Sequence, residues 1–247
     1  MSALAAAGIR RVEQIMGMPI LVELRDEEVD ATLVDEVFDW LRWVDATFST
    51  YRQDSEISRL ARGDLALADA CVEVGDVLGR CEDLRRETNG YFDARASGGL
   101  DPSGLVKGWS IDRAAALVDG AGVREFAINA GGAMRLRGGP WRFGIQHPRE
   151  HNRLAAVVEA SDLAVATSGA YARGDHVVDP HTLRPPAGIL SVTVVGPELA
   201  TADAYATAAF AMGGEAAPHW VARLREYEAM IILDDDVVLS TPEFPSD

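Results

Sequence analysis

Between residues 125 and 195 the chain breaks into short apolar runs separated by glycine pairs and turn signals, and this punctuation restricts the fold more than any other feature. Residues 125–129, 134–137 and 141–146 are divided by Gly131-Gly132 and Gly138-Gly139, while 155–160 and 163–167 flank a turn at Ser161-Asp162. Each run is too short for a stable helix and has the length of a strand. Residues 189–195 add a run rich in β-branched side chains, and 229–233 with 237–239 read as a hairpin turned by three aspartates. Such strands need helices to cover a face. Residues 29–47 supply one, with Leu33, Val34, Val37, Phe38, Leu41 and Val44 on a single stripe, widened by Trp40 and Trp43. Further helices are expected at about 69–87, after Gly108, at 201–212 and at 221–227, and residues 12–24 read as strand, kink, strand. Asp54 or Ser55 is a candidate N-cap for a short helix ahead of the 69–87 helix. The expected fold class is α/β (α+β), one domain over residues 1–247, with helices packed on a mixed sheet.

With 247 residues the chain can bury a substantial core, and its formal net charge of −16 argues against nucleic acid or an anionic membrane as partner. A phosphorylated small molecule is still compatible, because its recognition can be local or metal-assisted. The two cysteines, Cys71 and Cys81, are ten residues apart; on one helix that is about 15 Å, too far for a disulfide. The N-terminal residues carry no secretory pattern, and no run of 18 apolar residues exists to span a membrane. A cytoplasmic protein with reduced thiols is expected.

Residues 100–113 concentrate polar chemistry. Asp101, Pro102, Ser103 and Gly104 are turn formers, Lys107-Gly108 follows, and Ile111, Ala114, Ala115 and Val118 then recur at helical steps. A carboxylate, a flexible backbone and an ammonium just ahead of a helix N-terminus suit a phosphate. The stretch also fits an ordinary loop-to-helix junction, and it is neither a Walker A loop nor a Rossmann fingerprint.

Other residues have both a chemical and a bland reading. His176, in Gly174-Asp175-His176-Val177-Val178-Asp179-Pro180, is a candidate acid or base. None of His147, His151, His181 and His219 opens an HExxH pattern, and a zinc site is not expected. Ser168 and Asp179 would complete a Ser-His-Asp set with His176, but Thr167-Ser168-Gly169 lacks the glycines of a nucleophile elbow. Asp203 and Thr207 share one helical face and offer hard oxygen ligands suited to Mg²⁺. Equally, Thr201 could cap that helix, and Thr207 could bond a carbonyl one turn back. Tyr51, next to Ser55-Glu56-Ile57-Ser58, and Tyr91-Phe92-Asp93 are aromatic–polar groups beside turns, able to stack on a ring or to edge the core.

In order along the chain, these stretches resemble the ApbE family of FAD:protein FMN transferases. Met16-Gly17 matches the family's opening MG motif, Ser49-Thr50-Tyr51 and Ser55-Glu56-Ile57-Ser58 its S-x-Y and SEIS segments, and Tyr91-Phe92-Asp93 its FD motif. Lys107-Gly108 followed by Asp112, Asn129-Ala130-Gly131-Gly132, Thr167-Ser168-Gly169, the His176–Pro180 block, and Ala202-Asp203 with Thr207 complete a collinear set over about residues 12–213. The sequence departs from the family at Leu183, where glycine is usual, and at Ala133, where an aspartate is frequent. It is also short between Tyr171 and His176.

The resemblance implies a single-domain T-fold-like architecture that binds FAD and Mg²⁺. The implied reaction moves FMN from FAD to a threonine or serine of an acceptor flavoprotein and releases AMP. It assigns Mg²⁺ to the Gly104 carbonyl, the Asp203 carboxylate and the Thr207 hydroxyl. Lys107 is assigned to phosphate, Asp101 to the loop or FAD, and Met16, Tyr51, Phe92, Asp93, Ala94 and Val177 to the flavin and adenine sites. His176 is assigned proton transfer. A Mg²⁺-dependent FAD pyrophosphatase and a non-catalytic FAD-binding module are the alternative expectations.

Overall fold

The protein is seen in a computed structural model that describes residues 8–96, 98–150, 152–169 and 177–245. Strands β1 (Ile9–Ile15) and β2 (Met18–Leu24) are followed by helices α1 (Ala31–Phe48), α2 (Glu56–Arg62), α3 (Val72–Glu87) and α4 (Ser103–Gly120). Then come β3 (Phe126–Ala130), β4 (Ala133–Arg137), β5 (Trp141–Gln146), β6 (Leu154–Ala160), β7 (Ala164–Gly169) and β8 (Ile189–Gly196). Helix α5 (Leu199–Val221), β9 (Glu228–Leu233) and β10 (Val238–Ser240) close the order. Eight strands form one sheet in the order β1-β2-β3-β4-β7-β8-β9-β10, and β5 pairs with β6 in a separate hairpin.

The expected mixed sheet is corrected: every ladder among the described residues is antiparallel. Tight turns explain much of this, because a two-residue connection permits only antiparallel neighbours. Met16-Gly17 turns β1 into β2 with positive φ at both residues, where a kink was expected, and Gly131-Gly132 does the same for β3 and β4.

The alternation of side chains sorts the sheet's two faces. Ile20, Val22, Leu24, Ile128, Val192, Val194 and Ile231 pack against α1, α4 and α5. Val165, Val195, Met230 and Ile232 point the other way, onto Ile145 and Val158 of the β5–β6 hairpin. Helices therefore cover one face and a hairpin covers part of the other. The expected stripe of α1 is buried at all six positions, and Asp30 caps the helix by accepting the Thr32 N–H at 2.9 Å. Ser55, one of the two expected caps, accepts the Ser58 N–H at 3.1 Å at the start of α2.

Helix α5 explains its own composition. Ala202, Ala206 and Ala209 face the sheet core, while Ala200, Ala204 and Ala208 face a second core built from α1, α3 and α4. A helix buried on both sides needs small residues, and inserting methylenes here would cost about 1–3 kcal/mol. It runs from Leu199 to Val221 across a kink at Gly213 (φ 74), so the separate helix expected at 221–227 is instead its last residue and the turn into β9.

Helix α4 is also corrected. It starts at Ser103 rather than after Gly108, so Gly104, Lys107 and Gly108 lie inside its first turns. Glycine is a poor helix former, costing about 1 kcal/mol against alanine, which is why the stretch reads as a loop. Contact with α5 decides instead. A Cβ on Gly108 would sit 2.5 Å from the Leu199 carbonyl oxygen and 2.8 Å from the Ala200 Cα.

Candidate active site

Where the β1–β2 turn, the end of α1 and the first turns of α4 meet α5, they enclose a cavity of about 730 Å³, a size suited to a cofactor-sized ligand. Eleven of the twelve expected site residues line it: Met16, Tyr51, Phe92, Asp93, Ala94, Asp101, Gly104, Lys107, Val177, Asp203 and Thr207. The twelfth, His176, lies outside the described residues.

Local structure accounts for how the aromatic and apolar members arrive there. Met16 is held at φ 55 by the turn, an uncommon conformation for a residue with a side chain, and this places it at the cavity wall. Ser55 is 1% exposed; besides capping α2, its hydroxyl donates to the Ser49 carbonyl at 2.7 Å, and Ser58 Oγ reaches the same oxygen at 3.3 Å. The serines of the two motifs therefore fold 49–51 into a fixed rim. Tyr51 stands on that rim 92% exposed. At the opposite end of α3, buried Thr88 bonds the Leu84 carbonyl and accepts the Phe92 N–H at 2.9 Å, which fixes Phe92 against the cavity. Asp93 and Asp101 each tie down their own turn, accepting the N–H groups of Arg95 at 2.8 Å and Ser103 at 3.0 Å.

The polar centre lies between α4 and α5. Asp203, 1% exposed, accepts the Gly108 N–H through Oδ2 at 3.1 Å, and its Oδ1 lies 3.1 Å from Lys107 Nζ. In a regular helix the Gly108 N–H points at the Gly104 carbonyl, so Asp203 competes for that donor, and a backbone carbonyl has a second lone pair in any case. Thr207 Oγ1 donates to the Asp203 carbonyl at 2.9 Å and lies 3.3 Å from Ser168 Oγ. Thr207 thus makes the one-turn-back bond of its bland reading and still lines the cavity. Gly104 is close beside it: a Cβ there would be 3.5 Å from Thr207 Oγ1 and 3.1 Å from the Phe92 ring. Thr201 is not the cap of α5, since that helix starts two residues earlier.

This set fits a small hard cation. One buried carboxylate, a hydroxyl and a backbone carbonyl are the kind of partial set Mg²⁺ takes when substrate phosphates and water complete its shell. No group of three or more His, Cys, Asp or Glu among the described residues is placed to hold a metal ion, which argues against a site built wholly from such side chains. Charge points the same way. The cavity presents Asp45, Asp93, Asp101 and Asp203 against Lys107 and Arg52, so a diphosphate would enter a net negative site unless a cation came with it.

Several lining residues were not singled out from sequence. Asp45, Phe48 and Arg52 belong to the end of α1 and the loop after it, and the helical stripe that marked α1 carried no signal for its C-terminal turn. Ser168, a candidate nucleophile and a member of the Thr167-Ser168-Gly169 motif without an assigned role, lies beside Thr207. Asp179 is engaged by its own turn, accepting the His181 N–H and the Thr182 hydroxyl, both at 2.9 Å. His147 is a buried loop-former, its Nδ1 accepting the N–H groups of Arg149 and Glu150 at 3.3 and 3.2 Å.

An antiparallel sheet with helices on one face makes this an α+β protein, and its cofactor-sized cavity, with an aromatic rim and a carboxylate–lysine centre, is its candidate ligand site. The chain matches the ApbE family over residues 16–98 and 94–231, and it belongs to that family. Among its relatives, the FAD:protein FMN transferase of Rhodobacter capsulatus is 35% identical over 156 residues, covering 58% of this chain and 30% of that protein. The FAD:protein FMN transferase of Escherichia coli K12 is 33% identical over 164 residues, covering 60% of this chain and 47% of the relative. The chain thus spans less than half the length of either. In fold it matches the flavin transferase ApbE from Vibrio cholerae at a TM-score of 0.84, with 24% identity and coverage of 97% and 99% of the two chains. The ApbE protein from Thermotoga maritima gives 0.87, with 19% identity and coverage of 95% and 97%.

Proposed function

We propose that the protein transfers FMN from FAD to a threonine or serine hydroxyl of an acceptor flavoprotein, with Mg²⁺, and releases AMP. The observation that carries this reading is the convergence of Asp203, Thr207, Gly104 and Lys107 on one wall of a cavity whose rim is aromatic. The named activity of the relatives supports it. In the reaction, the acceptor oxygen bonds to the FMN-side phosphorus, the bridging P–O bond breaks, and its electron pair leaves on AMP. A bound Mg²⁺ would supply charge neutralisation at the two phosphates. Asp203, Thr207 and the Gly104 carbonyl would hold it, and Lys107 would contact a phosphate oxygen. Tyr51, Met16, Phe92 and Ala94 would grip the ring systems, with Asp93, Asp101 and Val177 completing the walls.

His176 takes the acceptor's proton in this reading, since a hydroxyl is a poor nucleophile at neutral pH. Both cysteines are free, and burial pushes the Cys81 thiol up to about 12, so it is inert. No helix among the described residues is long and apolar enough to cross a membrane. We take the chain as one domain acting in the cytoplasm.

The deciding experiment incubates the protein with FAD, Mg²⁺ and a candidate acceptor, reading intact mass and AMP. An acceptor mass gain equal to FMN, with equimolar AMP, is expected. AMP with free FMN and no adduct would mark a pyrophosphatase, and FAD binding without AMP a storage module. His176→Ala should keep FAD affinity and lose about 10²–10⁴-fold in turnover; turnover at the wild-type rate would remove the residue from the chemistry.

A further inference from the structure

We propose that Asp112, which lies outside the cavity, is the positioning residue that sets the Asp203–Thr207 face of α5 against Lys107 and Gly104 of α4. The inference rests on the reading of that face as the cation and phosphate site.

The two helices meet backbone to backbone at Gly108, close enough that a side chain there would collide with Leu199 and Ala200. Two carboxylates cross this contact in opposite directions. Asp112 of α4 accepts the Ala200 N–H of α5 through Oδ2 at 2.8 Å, and Asp203 of α5 accepts the Gly108 N–H of α4 at 3.1 Å. Gly108 and Asp112 are one turn apart on α4, and Ala200 and Asp203 nearly one turn apart on α5, so the pair fixes both the rotation and the slide of one helix on the other. Only the second bond lies in the cavity wall. The first is its outer anchor.

Helix α5 leans on that anchor because the side chain at its own N-cap does not cap it. Glu198 makes no side-chain capping bond, and its carboxylate instead accepts from Thr201, whose hydroxyl also receives Arg80 Nη2 at 3.2 Å. The first-turn N–H groups of a helix have no intrahelical acceptor, and Asp112 satisfies Ala200 from the neighbouring helix. The charged and titratable groups facing Asp112 are Arg135 on β4, with Nε 3.6 Å from Oδ1, Glu198 at the start of α5, and Tyr227 ahead of β9. The Arg135 Nη1 is buried with no hydrogen-bond partner, so the guanidinium adds charge but no second anchor for α5. Without Asp112, α5 can shift along the glycine contact, and a shift of about 1 Å at a reacting centre costs about 10²-fold in rate.

The test compares wild type with Asp112→Ala, Asp112→Asn and Asp112→Glu. It reads melting temperature, FAD affinity by flavin fluorescence without divalent cation, the Mg²⁺ concentration at half-maximal change in that fluorescence, and AMP formation. Asp112→Ala should keep FAD affinity without Mg²⁺ within about twofold while the Mg²⁺ midpoint rises about tenfold and turnover falls about 10²-fold. Asp112→Asn should recover most of both, since its amide oxygen can accept the Ala200 N–H. Asp112→Glu keeps the charge but moves the acceptor, and should resemble alanine. A lower melting temperature with an unchanged Mg²⁺ midpoint would make Asp112 a structural residue and overturn the proposal. If the alanine variant does not fold, the glutamate variant decides, and a wild-type midpoint there has the same meaning. Wild-type protein that binds FAD and Mg²⁺ but forms no AMP would overturn the proposed reaction, and the midpoint comparison would still decide on Asp112. Wild-type protein whose FAD fluorescence ignores Mg²⁺ would overturn both.

Discussion

Lys107 Nζ sits 3.1 Å from Asp203 Oδ1, where it neutralises a carboxylate that is otherwise shut away from water. A divalent cation on Asp203 would compete with that ammonium and release it toward a phosphate, so the two residues belong to one charge-balanced unit. Removing the carboxylate should therefore remove metal dependence. Asp203→Asn keeps the shape and the acceptor for the Gly108 N–H, and should stay folded. AMP formation at saturating FAD should fall by about 10²-fold or more, because charge stabilisation by a metal is worth several kcal/mol. Thr207→Val should cost less, since water can replace a neutral ligand. Magnesium titrations of both variants check this, and near-normal Mg²⁺-dependent turnover in Asp203→Asn would remove the residue from the metal site.

Tyr51 tests the rim. Being 92% exposed, it contributes little to the core, so Tyr51→Ala should leave the melting temperature unchanged. Its loss should weaken FAD by about 1–3 kcal/mol, the range for an aromatic stack on a base, with less effect on turnover at saturation. Fluorescence titration gives the affinity directly. An unaltered dissociation constant would assign the stacking to another residue.

Leu183 carries a strain that glycine would not. Its φ is 56, in the turn where its N–H donates to the Asp179 carbonyl at 2.8 Å, and its side chain is 68% exposed. The left-handed conformation costs a residue with a Cβ about 1–2 kcal/mol, and exposure means little packing repays it. Leu183→Gly removes that cost and returns about 0.4–1 kcal/mol of it as unfolded-chain entropy. A net stabilisation of about 0.5–1 kcal/mol should appear in urea unfolding. A destabilised glycine variant would show that the leucine side chain makes a contact outweighing its backbone strain.

The legible parts of this molecule are those governed by local periodicity. The stripe of α1, the Ser55 cap and the strand β5 (141–146) follow from spacing and turn chemistry alone. What escaped was set by contacts distant in sequence. Gly104 and Gly108 read as loop because helix propensity cannot register a neighbouring helix that requires the absence of a side chain. The turn at 222–227 read as helix because its apolar residues are spaced like one, whereas Tyr227 is buried with Val221 in the core beneath the sheet. The site residues became legible only as an ordered set of motifs. Each alone had a bland reading, and for Thr207 that bland reading, a bond to the Asp203 carbonyl, coexists with its place in the cavity. Asp112 was visible as part of a motif, yet its bond to Ala200 joins residues 88 apart and no local pattern encodes it.

Asp112 also makes a prediction about pH. Burial is the largest influence on it and pushes its carboxyl from 3.8 up to about 6, against the opposing pull of the Ala200 and Leu199 N–H groups and of Arg135. Between about pH 4 and pH 6 the folded protein therefore holds a proton that the unfolded chain has released. By linkage, this group's contribution to stability is fully present below pH 4 and is lost as pH rises through 6, opposite in sign to the usual salt-bridged aspartate. A shift of about two units corresponds to roughly 2–3 kcal/mol. Asp112→Asn cannot titrate, so subtracting its unfolding free energy from that of wild type at each pH isolates the effect from every other carboxylate. The difference should move in favour of wild type by about 2–3 kcal/mol between pH 7 and pH 4. A flat difference would place the folded carboxyl near its ordinary value, and a slope of the opposite sign would mean that Arg135 and the α5 N–H groups outweigh the cost of burial.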